Sequence, residues 1–341
     1  MSNTKICLWL KCALLLSITV ILFIAIPGCG KKDIQSAMER PGENNSPEME
    51  FNRPQDNVPA SAMLARPIAV TIDNSSSARP QSGLDQADLV YEVPVEGGVT
   101  RYLAVFFHEG TKNIGPIRSA RPYLIELARE WDAIYIHCGQ SPQAQTYFAE
   151  NQIAHINEMF HPTGFWRDKS RQAPFNLYTD INSLWQEITK LGWDNKGALA
   201  DYPLRGAGDQ LSGQVAEKLT IIYPYGRVGY QYDAPTNTYL RFLNDRPYLD
   251  LNSSMQLSAV NILIQQVSMW AFDSEGRLEV NLLGQGKAWL FSNGQVQEAT
   301  WRKNSNTSRT RFYDQTGVEL SMTKGTTWIQ LISEQMQFNY K

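Results

Sequence analysis

Asn113–Trp131 reads NIGPIRSARPYLIELAREW, and the fold turns on it. Gly115-Pro116 closes a loop, and Ser119 has the chemistry of a helix N-cap, with Pro122 inside the first turn, where proline is tolerated. Beyond it Ala120, Tyr123, Leu124, Leu127, Ala128 and Trp131 recur at helical spacing and predict one buried stripe. Arg118 and Arg121 flank the proposed cap, where the helix dipole is already positive. An anion must compensate them, and either a protein carboxylate or a ligand would serve.

Outward from this helix the pattern alternates. Upstream, Arg66 to Asp73 (RPIAVTID) reads as a buried strand ended by Asn74-Ser75-Ser76-Ser77. Asp88 to Pro94 and Thr100 to Phe107 read as two strands of a hairpin around Gly97-Gly98. Downstream come a strand at Ala133 to Cys138, a helix at Ser141 to Asn151 capped by Ser141-Pro142, and a helix at Thr179 to Leu191 with Asp180 near its start. Strands alternating with helices predict an α/β domain, its sheet mixed because of the hairpin. Past a glycine-rich stretch at residues 203–215 the chain changes to short, closely spaced strands, with an Asn293-Gly294 turn typical of a tight hairpin. The expected architecture is an α/β N-terminal domain with a mixed sheet, residues 65–207, followed by a mostly antiparallel β (α+β) C-terminal domain, residues 208–341.

The N-terminus specifies an address. Lys5 and Lys11 precede the uncharged apolar run Cys12 to Ile26, which is shorter than the roughly 20 residues of a spanning helix. Ile26-Pro27-Gly28-Cys29 resembles the lipobox of bacterial lipoproteins, apart from Pro27, where a small or hydroxylated residue is usual. The resemblance implies a signal peptide at 1–28, lipid on Cys29, and location on the extracytoplasmic face of the cell membrane, or of an outer membrane where the envelope has one. An uncleaved N-terminal anchor is the other reading. Residues 29–64, polar and proline-studded, read as the lipidated cysteine and a disordered tether. Its chain would span on the order of 35 Å as a coil and roughly 120 Å stretched. Of the 341 residues, 43% are hydrophobic and 11% aromatic, an ordinary globular balance. Loss of residues 1–28 removes two of 31 basic residues and none of 34 acids, so net charge moves from −3 to −5. That balance gives no electrostatic case for nucleic acid. With Cys7 and Cys12 removed and Cys29 acylated, Cys138 stands alone and no internal disulfide can form.

RPIAVTIDN, ARPQSGLDQADLVYEV, EGGVTRYLAVF, GPIRSARPYLIELA and YIHCGQSP, in that order, resemble the YerB-like bacterial lipoprotein family, a family of unknown function. The NGQV…TW hairpin and the GTTWIQLI ending resemble its C-terminal domain. The resemblance covers roughly residues 65–335 and implies a secreted, lipid-anchored, two-domain protein. It implies no reaction, cofactor or catalytic residue set.

Ligands gather beyond the carboxyl ends of strands and at helix N-termini in α/β sheets. The polar residues at those places are Asp73, Asn74, Arg79, Glu92, Glu96, Arg101, Arg118, Ser119 and Arg121, with His137 close by in sequence. Glu92 and Arg101 sit on hairpin partners and are expected to pair. One reading is a polar cleft in which Arg118 and Arg121 grip a carboxylate or phosphate; the other is an internal network locking hairpin to helix. Trp166 and Arg167, in the basic aromatic segment Phe165–Arg171, suit sugar or peptide contact or anchor a loop. His137 and Cys138, adjacent on a strand, face opposite ways and form no dyad, and Cys138 reads as a small core residue. Ser119 lacks a nucleophile elbow, the four histidines lack metal spacing, and Gly206-Ala207-Gly208 lacks a dinucleotide fingerprint; no metal or cofactor is expected. The leading expectation is a non-catalytic envelope protein whose partner is the membrane, through Cys29, and a peptidoglycan fragment or cell-wall protein. The alternative is a cell-wall glycoside hydrolase using Asp73, Glu92 or Glu96 as paired carboxylates. Oligomeric state has no signature.

Overall fold

The computed structural model describes residues 63–195, 197, 202–206 and 211–341; the signal peptide, Cys29, the expected tether up to residue 62 and Ala207-Gly208 lie outside them, while Met63 and Leu64, expected in the tether, open the first strand. The first half contains β1 (Met63–Asp73), the hairpin β2 (Leu89–Pro94) and β3 (Thr100–His108), α1 (Pro122–Arg129), β4 (Ile134–His137), α2 (Pro142–Glu150) and β5 (His155–Asn157). A small pair, β6 (Phe165–Arg167) and β7 (Leu177–Thr179), precedes α3 (Ile181–Lys190). The second half adds β8 (Gln214–Val215), β9 (Lys218–Tyr223), β10 (Gly226–Asp233), β11 (Thr238–Leu243), β12 (Arg246–Pro247), β13 (Ser258–Ala259), β14 (Asn261–Gln266) and β15 (Met269–Ala271). It closes with β16 (Leu278–Val280), β17 (Gly284–Ser292), β18 (Gln295–Lys303), β19 (Arg311–Tyr313), β20 (Thr327–Ile332) and β21 (Phe338–Tyr340).

The first half is α/β with a mixed sheet, and the second is mostly antiparallel strand. Both halves build one main sheet, ordered β19-β18-β17-β14-β20-β2-β3-β1-β4-β5, with β8 on β18. β14, β20 and β2 pair in parallel, as do β1, β4 and β5, while β3 runs antiparallel to both β2 and β1. All six of these parallel-paired strands therefore point the same way, and their carboxyl ends share one edge of the sheet.

Alternation covers both faces. Ile68, Val70, Ile72, Tyr102 and Trp328 pack with α3 and with the second sheet, β12-β11-β10-β9-β21. Ala69, Leu103, Leu263 and Ile329 pack with α1 and with Ala144 of α2. The stripe expected on α1 is buried in full, from Ala120 through Trp131. Each of Leu124 and Leu127 contributes about 1.5–3 kcal/mol relative to exposure.

The start of α1 differs from expectation. Arg121, in extended backbone, is the N-cap residue, its side chain makes no capping bond, and Pro122 opens the helix. Ser119 lies too far upstream to cap, because Ile117–Ala120 is extended chain paired to strands on either side. Arg118 N donates to Thr71 O at 2.9 Å and Asp73 N to Pro116 O at 2.9 Å, on the β1 side. Cys138 N donates to Arg118 O at 3.1 Å and Ala120 N to Gly139 O at 3.0 Å, on the β4 side. β1 and β4 pair only over Ile68–Val70 and Ile134–Ile136, and this segment is wedged between their carboxyl ends. Ser141 caps α2 as the sequence predicts, accepting from Ala144 N, and Asp180, expected near the start of α3, is its N-cap residue and accepts from Ser183 N.

Candidate functional site

The strand period decides where the candidate residues go. Asp73 and Asn74 are consecutive on extended chain, so they leave the sheet on opposite faces. On the hairpin, Glu92 is in register with Tyr102, and Val93 with Arg101. Glu92 and Arg101 are therefore on opposite faces, and the expected pair between them does not form. What the sequence suggests as one cleft is two clusters with the sheet between them.

On the face toward the second sheet, Glu92 and Arg241 of β11 form a fully buried ion pair at 2.7 Å. Arg241 lies over the Trp328 ring at 4.4 Å, and its guanidinium also meets the hydroxyls of Tyr230 and Tyr102. The second Glu92 oxygen accepts from Thr100 Oγ1 at 2.8 Å, from Asn74 Nδ2 at 3.2 Å and from Tyr225 OH. Asn74 Oδ1 in turn accepts from Arg79 Nε at 2.9 Å and Tyr248 OH at 3.1 Å, and Arg79 covers the Tyr225 ring. Every element of this cluster is tied to another across the layer between the sheets. Removing one partner of such a pair is costly because the remaining charge stays buried.

On the helix face, Glu96 at the hairpin tip accepts from Arg121 Nε at 3.0 Å, from Arg121 Nη2, and from Arg101 Nη2 at 3.2 Å. Arg121 Nη1 donates to Ala120 O at 2.7 Å, and Arg101 Nη1 to Ser119 O at 2.9 Å. Glu96 is thus the anion that the positive helix start requires. Burial pushes its carboxyl up, but the Arg121 hydrogen bond and the Arg101 and Arg121 charges outweigh it and hold the pKa at about 2. Asp73 pairs with Arg118, and Asp73 Oδ1 also accepts from Ser75 N at 2.6 Å. Arg118 lies over the Phe175 ring at 5.1 Å and keeps 26% of its side chain exposed, against 11% for Arg121 and 10% for Arg101. Three guanidinium groups meet two carboxylates here, which leaves one formal positive charge in excess.

The carboxylates are not arranged for paired acid–base work. Asp73 and Glu92 are on opposite faces, each joined to its own arginine, and Glu96 stays ionised throughout the physiological range. A carboxyl with a raised pKa does occur elsewhere. Burial and the nearby Asp85 push Asp250 up to about 7, yet it is 1% exposed and its oxygens accept from Leu84 N and Asn252 N, tying two loops together. Nothing in its local sequence marks it.

His137 is buried away from both clusters. Its Nδ1 donates to Gly139 O at 2.7 Å, which leaves Nε2 of the neutral ring to accept from His155 Nδ1 at 2.9 Å. Burial lowers its pKa to about 3, so it stays neutral. Cys138 is half-buried rather than a core residue, and its thiol donates to Glu158 Oε2 at 3.2 Å. Burial, then Glu158, pushes that thiol up to about 11, which makes it a poor nucleophile. Glu158 also faces Arg167 at 3.5 Å. Trp166 is 37% exposed and borders a cavity of about 320 Å³ with Tyr178, Asn113 and Asn252. Among the described residues no three His, Cys, Asp or Glu side chains are grouped to hold a metal ion. No helix there is long and apolar enough to cross a membrane.

Comparison with known proteins places both halves of the chain in one family. The family described as protein of unknown function (DUF3048) matches with its N-terminal domain over residues 55–194 and its C-terminal domain over residues 219–329. The chain is 32% identical over 282 residues to the Bacillus subtilis (strain 168) protein named "Putative lipoprotein YerB", covering 79% of this chain and 82% of that one. The chain belongs to the YerB-like family. A crystal structure of YerB protein from Bacillus subtilis matches the fold with a TM-score of 0.74 at 27% identity, over 83% of this chain and 97% of that one. For a YerB-like chain a match of that extent includes residues of both halves.

Proposed function

We infer that this YerB-like chain is a lipid-anchored extracytoplasmic protein that binds an acidic ligand, a carboxylate-bearing peptidoglycan fragment or a cell-wall protein, and does not turn it over. The observation that carries the reading is the excess guanidinium on the helix face. Arg101 and Arg121 are occupied by Glu96 and by backbone carbonyls, whereas Arg118 keeps an outward surface beside Phe175. A carboxylate docking there would meet a planar donor already oriented by Asp73. The address rests on the lipobox-like Ile26–Cys29 and on the lipoprotein name of the Bacillus subtilis relative.

Arg118→Lys keeps the partner that buried Asp73 requires while removing the planar fork. Calorimetric titration with an N-acetylmuramyl dipeptide is expected to show binding weakened about tenfold in this variant, with Tm little changed. Undiminished affinity overturns the assignment of Arg118. Turnover of purified wall material by the wild-type protein overturns the non-catalytic reading. Cys29→Ser is expected to release the protein from membranes into the soluble fraction; membrane retention contradicts lipid anchoring.

A further inference from the structure

The carboxyl ends of β14 and β20 lie on the same sheet edge as the arginine cluster, about four strand spacings from the β1/β4 wedge, or on the order of 20 Å. Among the described residues no chain segment is wedged between these two strands, and their ladder runs unbroken to Gln266 and Ile332. Where β14 ends and β17 begins, a cavity of about 460 Å³ opens. Its lining is rich in amides and other polar groups: Gln266, Ser268, Asn281, Gln285, Lys287 and Glu334. Trp301 forms a rigid wall. Its Nε1 donates to Gln266 O at 2.7 Å, and the indole packs so closely on Gly286 that a Cβ there would come within 2.5 Å of Nε1.

An aromatic arm rises from the rim. Ser268 and Asn281 both line the cavity and also close the base of the β15–β16 hairpin, where Asn281 N donates to Ser268 O at 2.9 Å. On that hairpin Trp270 is 51% and Phe272 41% exposed. Two residues apart on extended chain, they share one face. The Phe272 N bond to Arg277 O, 3.0 Å, carries the ladder past Phe272 and holds that face in place.

We propose that the cavity where β14 ends and β17 begins, with the Trp270/Phe272 hairpin rising from its rim, is a binding site for glycans built of N-acetylated amino sugars. Primary amides both donate and accept, which matches the acetamido group, itself one donor and one acceptor. Sugar rings present apolar C–H faces, which suit the exposed aromatic pair, and Lys287 and Glu334 are placed for charged substituents. The site is independent of the Arg118 reading and of the lipid anchor.

The test is titration of the folded protein with the hexasaccharide of N-acetylglucosamine, followed by tryptophan fluorescence and calorimetry, with the unacetylated glucose hexasaccharide alongside. The acetylated chain is expected to bind saturably and about tenfold more tightly than the plain glucan. The Trp270→Ala/Phe272→Ala pair is expected to weaken it about tenfold with Tm unchanged, because both rings are solvent-facing. Gln285→Ala/Lys287→Ala, at two residues that line the cavity, is expected to weaken it as well, whereas Arg118→Lys leaves it unaltered. Absence of saturation up to about 10 mM overturns the proposal. So does binding that both double variants leave intact, or that Arg118→Lys abolishes.

Discussion

The two stretches of one sheet edge meet the same physical problem in opposite ways. Where parallel strands end, amides and carbonyls project without partners and a crevice forms. Between β1 and β4 the chain fills that crevice with Ile117–Ala120, bonded to both neighbours, and neutralises the arginines it brings with Glu96 and Asp73. Beyond β14 and β20 the ladder ends with polar side chains around open space. The wedged stretch binds hairpin, helix and sheet into one body and leaves only Arg118 facing out. The open stretch has little to stabilise and much to offer a ligand. Charged residues at strand ends therefore identify where a site would be, but only backbone pairing says whether the place is already filled.

The largest expected effect tests how the closed stretch is held from its other face. Arg241→Ala strands the Glu92 carboxylate in the layer between the sheets and is expected to cost about 3–5 kcal/mol in denaturant unfolding. Replacing both residues by methionine is expected to recover part of that loss, since no charge is then left buried although Thr100, Asn74 and Tyr225 lose Glu92 as acceptor. A small effect of the single change would mean that water reaches Glu92 and that the layer is less closed than described.

Acid unfolding sharpens the comparison next. The folded-state pKa of Glu96 is lowered from its ordinary 4.5 to about 2. Its contribution to stability is therefore complete above about pH 4.5 and is lost as pH falls toward 2. Glu96→Gln is expected to lower stability at neutral pH and to flatten the fall between those limits. Parallel acid limbs for Glu96→Gln and wild type would contradict the helix-face network.

The smallest effect separates a real cap from an apparent one. Ser141→Ala removes the bond to Ala144 N and is expected to cost about 1 kcal/mol. Ser119→Ala removes no helix cap and is expected to stay within about 0.5 kcal/mol. Equal costs in thermal unfolding would restore Ser119 to the helix start.

How far the sequence could reach follows from these residues. The α1 stripe, the Ser141 cap, the β2–β3 hairpin and the Asn293-Gly294 turn are local, so composition and period suffice to find them. The partner of Glu92 is Arg241, 149 residues away, and no local signal connects them. Arg101 was the nearer choice, and a one-residue step in hairpin register excludes it. GPIRSARP has an N-cap-like Ser119 and a helix-opening Pro122, yet its backbone satisfies Thr71, Cys138 and Gly139 instead, a tertiary pairing that propensity cannot anticipate. The cavity at the end of β14 is lined by Gln266, Gln285, Trp301 and Glu334, which are far apart in sequence, so no local signal assembles it.

Hydrogen exchange at single amides tests the contrast between filled and open edge most directly. The amides of Arg118 and Ala120 donate out of the wedge, to Thr71 O at 2.9 Å and Gly139 O at 3.0 Å, and Cys138 N donates into it, to Arg118 O at 3.1 Å. They are predicted to exchange only with global unfolding, at the same opening free energy as Ile72 and Ile136 in the sheet centre, while Gln285 and Lys287 exchange through small local openings. Exchange at Arg118 and Ala120 through an opening well below the global value would mean that the segment leaves the sheet, and would contradict a permanently filled edge.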